Sequence, residues 1–289
     1  MTRRLGLEPI DLGHLGSERT IGVYPLETDD GLALFDCGPS VCVETLEEGL
    51  DARGLALVEV RHLLLSHIHL DHAGAVGSLV ARLPHLQVHV SAVGAPHLVH
   101  PERLERSARR LYGDAFDSLW GALVPVPEEN VRPVSGRVLG LDCFPTPGHA
   151  SHHVSYLDDA GTLYSGDAAG VRIQPHQGVL PPTPPPEFDL DAWLVTLDEI
   201  EGRRPERLAL VHFGVAEDVE RHLAELRERL RGWARLIEDG ASEDEFVRAA
   251  RAGFEPDEAE AYDRAMPFWQ SYAGLERWRD RRREATSSR

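Results

Sequence analysis

One short segment of the chain combines residue types and a spacing that suit metal chemistry. Three imidazoles and one carboxylate fall within six residues of the segment 66–72, whose sequence is SHIHLDH. Neutral imidazole nitrogen and carboxylate oxygen are both good ligands for zinc and related divalent metals. In so tight a turn the groups need not converge on one ion, because His67 and His69 can point one way and Asp71 and His72 another. The segment therefore predicts a site for two metal ions, each of which needs further ligands.

The predicted secondary structure places this segment where a strand gives way to a helix. Residues 61–66 contain Leu63-Leu64-Leu65, which is typical of a buried strand. Residues 71–83 are predicted to form one helix that ends at Pro84. Turns held by a rigid scaffold are common positions for functional sites. We therefore expect the segment to lie at the edge of a core.

Three further strand ends carry matching residue types. His149 follows a strand predicted over residues 137–144, Asp167 follows one over 163–165, and His212 follows one over 208–211. Strands alternate with helices in both halves of the chain, and a helix is predicted over residues 101–120. This order predicts a layered α/β domain.

The ordered set of SHIHLDH, Gly148-His149, Asp167 and His212 resembles the metallo-β-lactamase superfamily over roughly residues 18 to 214. The resemblance implies a four-layer αβ/βα sandwich over residues 1–214, with its site between the two sheets at one edge. Residues 215–289 are then a C-terminal α-helical extension. The resemblance also implies a ligand set: His67, His69 and His149 for a first metal, Asp71, His72 and His212 for a second, and Asp167 as the bridge.

Outside the ligand set, further residues are assigned to supporting roles. The resemblance implies that Asp36, at the end of a strand, and His153 lie in the second shell and support the ligands. The helix predicted over residues 101–120, with Arg109 and Tyr112, is expected to cover the site as a lid. We expect the segment 174–188, with His176, and the C-terminal helices to complete the substrate pocket.

The resemblance implies a dinuclear metal-dependent hydrolase. In this hypothesis a metal-bridging hydroxide attacks an ester, a thioester or a lactone-type small molecule, and Asp71 is the catalytic residue that orients the nucleophile. The motif is similar to that of glyoxalase II and related thioesterases. The expected cofactors are two divalent metal ions, with zinc ahead of iron and manganese. Two alternatives stay open: a mononuclear iron oxidoreductase of the persulfide-dioxygenase type, and a non-catalytic metal-binding protein.

Composition restricts the partners. The 289 residues include 30 basic and 48 acidic ones, which gives a formal charge of −18, and every basic residue is arginine. Such acidity disfavours nucleic acids and anionic membranes as partners and leaves a small-molecule substrate. Three cysteines without C-x-x-C spacing, and no apolar stretch of signal-peptide or membrane-spanning length, predict a cytoplasmic protein. The amphipathic helix predicted from Val215 leaves a homo-oligomer open.

Overall fold

The computed structural model describes residues 5–287, which form two six-stranded β-sheets with helices on their outer faces. The strands of the first sheet are β1 Ile10–Asp11, β2 Gly22–Thr28, β3 Gly31–Phe35, β4 Val60–Leu64, β5 Gln87–Ser91 and β6 Val131–Val134. Those of the second are β7 Gly136–Val138, β8 Leu141–Pro145, β9 Val154–Leu157, β10 Thr162–Tyr164, β11 Arg207–Leu210 and β12 Gly214–Ala216. The predicted four-layer αβ/βα class is confirmed.

The helices divide between the two outer layers. The first half of the chain contributes α1 Val43–Asp51, α2 Leu70–Ala73, α3 Val76–Arg82, α4 Ala95–Val99, α5 Glu102–Tyr112 and α6 Phe116–Trp120. The second half contributes α7 Leu190–Arg203, α8 Val219–Glu238, α9 Glu243–Arg251, α10 Pro256–Ala265 and α11 Phe268–Ser287. Among residues 5–287, no helix combines the length and the apolar character needed to cross a membrane.

Sheet topology brings the chemically important strand ends to one edge. In the first sheet β3, β4, β5 and β6 run parallel, whereas β1, β2 and β3 pair antiparallel. In the second sheet only β10 and β11 pair in parallel. The carboxyl ends of parallel strands lie at the same edge of a sheet, so residues that follow β3 and β4 become neighbours, as do those that follow β10 and β11.

Aromatic side chains join the inner faces of the two sheets. The Phe35 ring lies 5.9 Å from that of Tyr156 and 5.5 Å from that of Tyr164. The Tyr24 hydroxyl donates to the Leu210 carbonyl at 2.7 Å. Buried hydroxyls need such partners because an unpaired polar group in a dry core is costly. These contacts fix the two sheets relative to each other where the strand ends meet.

The C-terminal helices and the outer face of the second sheet share one apolar core. Leu210 on β11, Trp193 on α7, Leu226 on α8, Phe246 on α9 and Leu275 on α11 are all fully buried in one cluster. The second sheet also continues to Ala216, two residues past the boundary expected at 214. The helices therefore cover the sheet and complete its core.

Three predicted elements differ from the structure. The helix predicted over residues 101–120 is divided into α5 and α6 at Gly113, whose φ is 56°. The single helix predicted over residues 71–83 is divided into α2 and α3, because the Ala75 amide donates to the Gly38 carbonyl at 2.9 Å instead of continuing the helix. The strand predicted over residues 137–144 is a hairpin of β7 and β8. Its turn residues Leu139 and Gly140 have φ values of 50° and 87°, as a two-residue hairpin turn requires.

Candidate metal centre

Five strand ends meet at one edge of the sandwich. Asp36 follows β3, the segment 66–72 follows β4, and His149 lies in the loop between β8 and β9. Asp167 follows β10, and His212 follows β11. The structure brings together all seven side chains that the sequence assigned as ligands, although they are spread over 146 positions of the chain. Three sets of their ligand atoms lie within 4.8 Å of one another: His67, His69 and His149; His67, His72 and Asp167; and Asp71, His72 and His212.

The first group consists of three histidines whose ring nitrogens face one point. His69 Nδ1 lies 2.9 Å from His67 Nε2 and 2.8 Å from His149 Nε2. Tetrahedral zinc with bonds of 2.0–2.1 Å holds its ligand atoms about 3.3 Å apart. The three nitrogens are therefore grouped at close to the spacing of a three-histidine metal site.

The second group combines two histidines with a carboxylate. His72 Nε2 lies 3.2 Å from His212 Nε2 and 3.6 Å from Asp71 Oδ2, and His212 Nε2 lies 3.4 Å from that same oxygen. These separations also fit atoms that surround a single small cation.

Asp167 lies between the two groups. Its Oδ2 is 3.3 Å from His149 Nε2, whereas its Oδ1 is 3.3 Å from His72 Nε2 and 3.5 Å from His212 Nε2. Both oxygens are buried, and neither has a hydrogen-bond partner among the described residues. Buried carboxylate oxygens without hydrogen bonds are rare because their desolvation is expensive. A cation at each group would give each oxygen a partner.

The electrostatics of the cluster favour bound cations. Burial opposes the ionisation of Asp167, but His72, His149 and His212 outweigh it and hold the pKa of that carboxyl well below its usual range. Burial lowers the pKa of His67 well below its ordinary value, and the imidazole of His72 beside it adds to the effect. Asp167 is thus ionised and His67 neutral, which are the ligand forms that divalent metals require.

Asp36 orients the second group through hydrogen bonds with His72 and Ser66. Its Oδ2 accepts from His72 Nδ1 at 2.7 Å and from the Ser66 hydroxyl at 2.7 Å, while its Oδ1 accepts from the Ser66 amide at 2.7 Å. With its proton held on Nδ1, His72 turns the Nε2 lone pair towards Asp71 and His212. A carboxylate behind a ligating histidine is a common way to fix its tautomer.

Other ligand-group residues are oriented by carbonyls and by a hydroxyl. His149 Nδ1 donates to the Pro182 carbonyl at 2.8 Å, and His212 Nδ1 donates to the Thr20 carbonyl. His153 Nε2 accepts from the Asp167 amide at 3.1 Å while its Nδ1 lies 2.8 Å from Thr146 Oγ1. His153 thus lies behind Asp167, and its supporting role stays a prediction.

The cluster reaches solvent at His69 and Asp71. His67, His72, His149, Asp167 and His212 are buried, whereas His69 is half-buried and the Asp71 side chain is 15% exposed. Tyr112 from α5 lies beside this opening: burial raises its pKa, the nearby Asp71 carboxylate adds to the rise, and a hydrogen bond from Gln270 of α11 opposes it. Helices from distant parts of the chain therefore meet above Asp71.

The other two predicted pocket residues lie elsewhere. The exposed Arg109 guanidinium pairs with Glu105 at 2.9 Å and Asp117 at 2.8 Å, and it covers the Phe116 ring. His176 packs its ring 6.4 Å from that of Tyr262. The structure includes neither residue in a ligand group, and of the three predicted pocket residues Tyr112 alone lies beside the opening.

Several supporting residues were not identified from the sequence. Ser66 had a signal, because it directly precedes the motif and its hydroxyl lies 2.9 Å from His67 Nδ1. His152 is buried, and its ring lies 5.6 Å from that of His69. Thr20 and Pro182 act through backbone carbonyls, which every residue has, and so no residue type indicates them.

In the metal-free protein we expect the free energy of unfolding to decrease as the pH rises above about 6.5. Burial opposes protonation of His72, but Asp167, Asp71 and Asp36 outweigh it and raise the pKa of this imidazole well above its ordinary value. A pKa raised on folding contributes stability below the unfolded value and loses it as the pH rises through the folded value. Melting temperatures of chelator-treated protein from about pH 6 to about pH 9 measure this. Metal-loaded protein is the control, and a metal-free protein with a constant melting temperature would contradict the prediction.

Comparison with known proteins agrees with this geometry. The family model described as the metallo-beta-lactamase superfamily matches residues 22–212. The metallo-beta-lactamase fold-containing protein ST1585 from Sulfurisphaera tokodaii is 28% identical over 232 residues, which span 76% of this chain and 84% of that protein. A hydroxyacylglutathione hydrolase from Methylobacillus flagellatus is 34% identical over 120 residues, which span 42% of this chain and 37% of that protein.

Solved structures show the same architecture. The metallo-beta-lactamase family protein TTHA1429 from Thermus thermophilus has a TM-score of 0.66 at 22% identity, with 90% of this chain and 89% of that one covered. TTHA1623, solved in a di-iron-bound form, has a TM-score of 0.56 at 26% identity, with 77% of this chain and 97% of that one covered. The matched residues 22–212 contain both sheets except β1 and β12, together with the whole ligand cluster. The chain therefore belongs to the metallo-β-lactamase superfamily.

Proposed function

We propose that this protein is a dinuclear metal-dependent hydrolase that cleaves an ester, a thioester or a lactone-type small molecule. The observation that carries the proposal is the position of Asp167, whose two carboxylate oxygens each face one ligand group. Activity of the hydroxyacylglutathione hydrolase type in a relative supports a thioester among the candidate substrates.

The residues divide into a first and a second metal position. His67, His69 and His149 would hold one ion, Asp71, His72 and His212 the other, and Asp167 would contact both. Two bound divalent ions would supply a hydroxide nucleophile near neutral pH and polarise the substrate carbonyl. Zinc suits these nitrogen and oxygen donors, and iron and manganese accept the same set.

Asp71 is the proposed catalytic residue. It is the one carboxylate of the cluster with a partly exposed side chain, and it lies at the opening where substrate and water enter. Burial opposes its ionisation, but His72 and His212 outweigh it and lower its pKa, so that Asp71 stays an acceptor at neutral pH. A carboxylate in this position can orient a water molecule and accept its proton.

Replacement Asp71→Asn is expected to lower kcat by about 100-fold or more, since general-base contributions are commonly 10²–10⁴-fold. The three-histidine group is unchanged, so at least one metal ion per chain should stay bound. Elemental analysis and steady-state kinetics on the same preparation measure both quantities. Asp114→Asn, an exposed substitution on the lid side, is the control. Wild-type turnover by Asp71→Asn would remove Asp71 from the mechanism.

Elemental analysis combined with a substrate panel tests the whole proposal. Two ions per chain and metal-dependent hydrolysis of a thioester, an ester or a lactone are the expected results. One iron per chain with oxygen consumption would instead indicate the oxidoreductase, and bound metal without turnover on any substrate would indicate a binding protein. Phosphodiesters and β-lactams belong in the panel as substrates that the proposal expects to be poor.

A further inference from the structure

The proline-rich segment 182–188 supports the loop that carries His149. The Pro182 carbonyl accepts from His149 Nδ1 at 2.8 Å, and Glu187 Oε2 accepts from the Ser151 amide at 3.2 Å and from its hydroxyl at 2.5 Å. Pro182 is buried, so water cannot easily replace it as the acceptor. The direction of the His149 ring therefore depends on where this segment lies.

On its other side the segment lies along helix α11. The Thr183 hydroxyl donates to the Ser271 carbonyl at 3.1 Å, and the Phe188 carbonyl accepts from Arg281 at 2.5 Å. The rings of Phe188 and Trp278 meet edge to face at 6.0 Å. Ser271 and Arg281, about three helical turns apart on α11, thus contact the two ends of the segment.

The closest approach is at Gly274, in the middle of these contacts. A Cβ atom added there would lie 1.9 Å from the Thr183 carbonyl oxygen and 2.7 Å from the Pro184 carbonyl carbon. Real side chains do not approach backbone atoms so closely, and both contacts are to backbone, which cannot rotate away. Glycine weakens a helix interior, so its presence here marks a position where close approach outweighs helix propensity.

We infer that helix α11 positions the metal centre, because it holds the proline segment whose Pro182 carbonyl directs His149 Nε2 at the first group. The contacts that position the segment involve Gly274, Thr183 and Pro182. None of these three residues contacts a ligand atom that would face the metal ion. The inference rests on one part of the proposed function, namely that a metal ion binds at the first group. It adds that the C-terminal helix determines the affinity of that ion.

The variant Gly274→Ala tests the inference. The added methyl must separate α11 from the segment, and the loss of a supporting contact to a ligating histidine commonly lowers metal affinity by about 10- to 100-fold. We expect that decrease for one ion and an unchanged affinity for the other. Gly202→Ala on α7 and Gly232→Ala on α8 are matched controls, since an added Cβ meets nothing within 4 Å at either position.

Cobalt-substituted protein provides a readout that does not depend on turnover. In water, the exchangeable Nδ1 proton of a cobalt-bound histidine gives a strongly shifted NMR signal, and the Pro182 carbonyl should protect the His149 proton from exchange. Faster exchange of that proton in Gly274→Ala, with the other histidine protons unchanged, is the expected result. Cobalt titrations give the two affinities in parallel.

A second variant covers the case in which Gly274→Ala does not fold. Thr183→Val keeps the shape of the buried side chain and removes its hydrogen bond to Ser271, and a smaller decrease in the same single affinity is expected. Wild-type affinities and proton exchange in whichever variant folds would overturn the inference. A wild-type protein that binds two ions and hydrolyses nothing would overturn the proposed function alone, whereas one that binds no metal would overturn both.

Discussion

The variant Asp167→Ala is expected to hold fewer than two metal ions per chain and to lower kcat/KM by roughly 10³-fold or more. Asp167 is the one side chain that faces both groups, with Oδ2 at 3.3 Å from His149 Nε2 and Oδ1 at 3.3 Å from His72 Nε2. Without it, five imidazoles and one remaining ligand carboxylate must hold two dications. Less negative charge weakens both positions at once, because the cations also repel each other.

Elemental analysis after gel filtration and kinetics at saturating metal measure the two effects of Asp167→Ala. Addition of excess metal should not restore turnover, since the loss includes the group that fixes the two positions relative to each other. Asp239→Ala, an exposed position after α8, is the control and should keep the wild-type metal content. An Asp167→Ala protein that retains two ions per chain would exclude Asp167 as the bridge.

The variant Asp36→Ala is expected to lower the free energy of unfolding by roughly 3 kcal/mol and the affinity of the second group by about 10- to 100-fold. Asp36 is fully buried and accepts three hydrogen bonds, from His72 and twice from Ser66. Its removal leaves the Ser66 amide without its partner and releases the His72 ring. Denaturant unfolding of metal-loaded and metal-free protein separates the structural loss from the loss of bound ion.

The chain offers a matched control for Asp36→Ala. Asp30 also pairs with a histidine, His62, at 3.2 Å, but the Asp30 side chain is 66% exposed. A contact made by so exposed a carboxylate contributes at most about 1 kcal/mol, so Asp30→Ala should have little effect on stability and none on metal content. Equal losses from Asp30→Ala and Asp36→Ala would show that Asp36 has no special role at the metal centre.

The sequence predicted the fold class and the positions of the cluster because the ligands lie at strand ends. His67 to His72 follow β4, whose last residues Leu63 and Leu64 are apolar, and Asp167 and His212 each follow a short apolar strand. Strand identity depends on local hydrophobicity, and the carboxyl ends of parallel strands share an edge. Those two facts bring together residues that follow parallel strands of one sheet, whereas the resemblance to a family implied that both sheets and His149 contribute to one site.

What the sequence did not predict depends on contacts between distant segments. The division of the helix after His72 follows from one bond between Ala75 and Gly38, and neither residue type is unusual in a helix or a turn. Arg109 was assigned to the pocket because the helix that carries it was expected to cover the site. The direction of its side chain is determined instead by Glu105 and Asp117 on the exposed face. Carbonyl supports such as Pro182 have no residue-specific signal.

The contacts between α11 and the segment 182–188 have a consequence for biosynthesis. A ribosome adds the histidines of the cluster long before it adds Ser271, Gly274 and Arg281, which hold the support of His149 in place. When His212 has just left the ribosome, the nascent chain already contains every ligand. It still lacks the helix that fixes the segment 182–188. Tight loading of the first metal position is therefore expected only after α11 has been synthesised and packed, so we expect the filling of that position to be a late step in maturation.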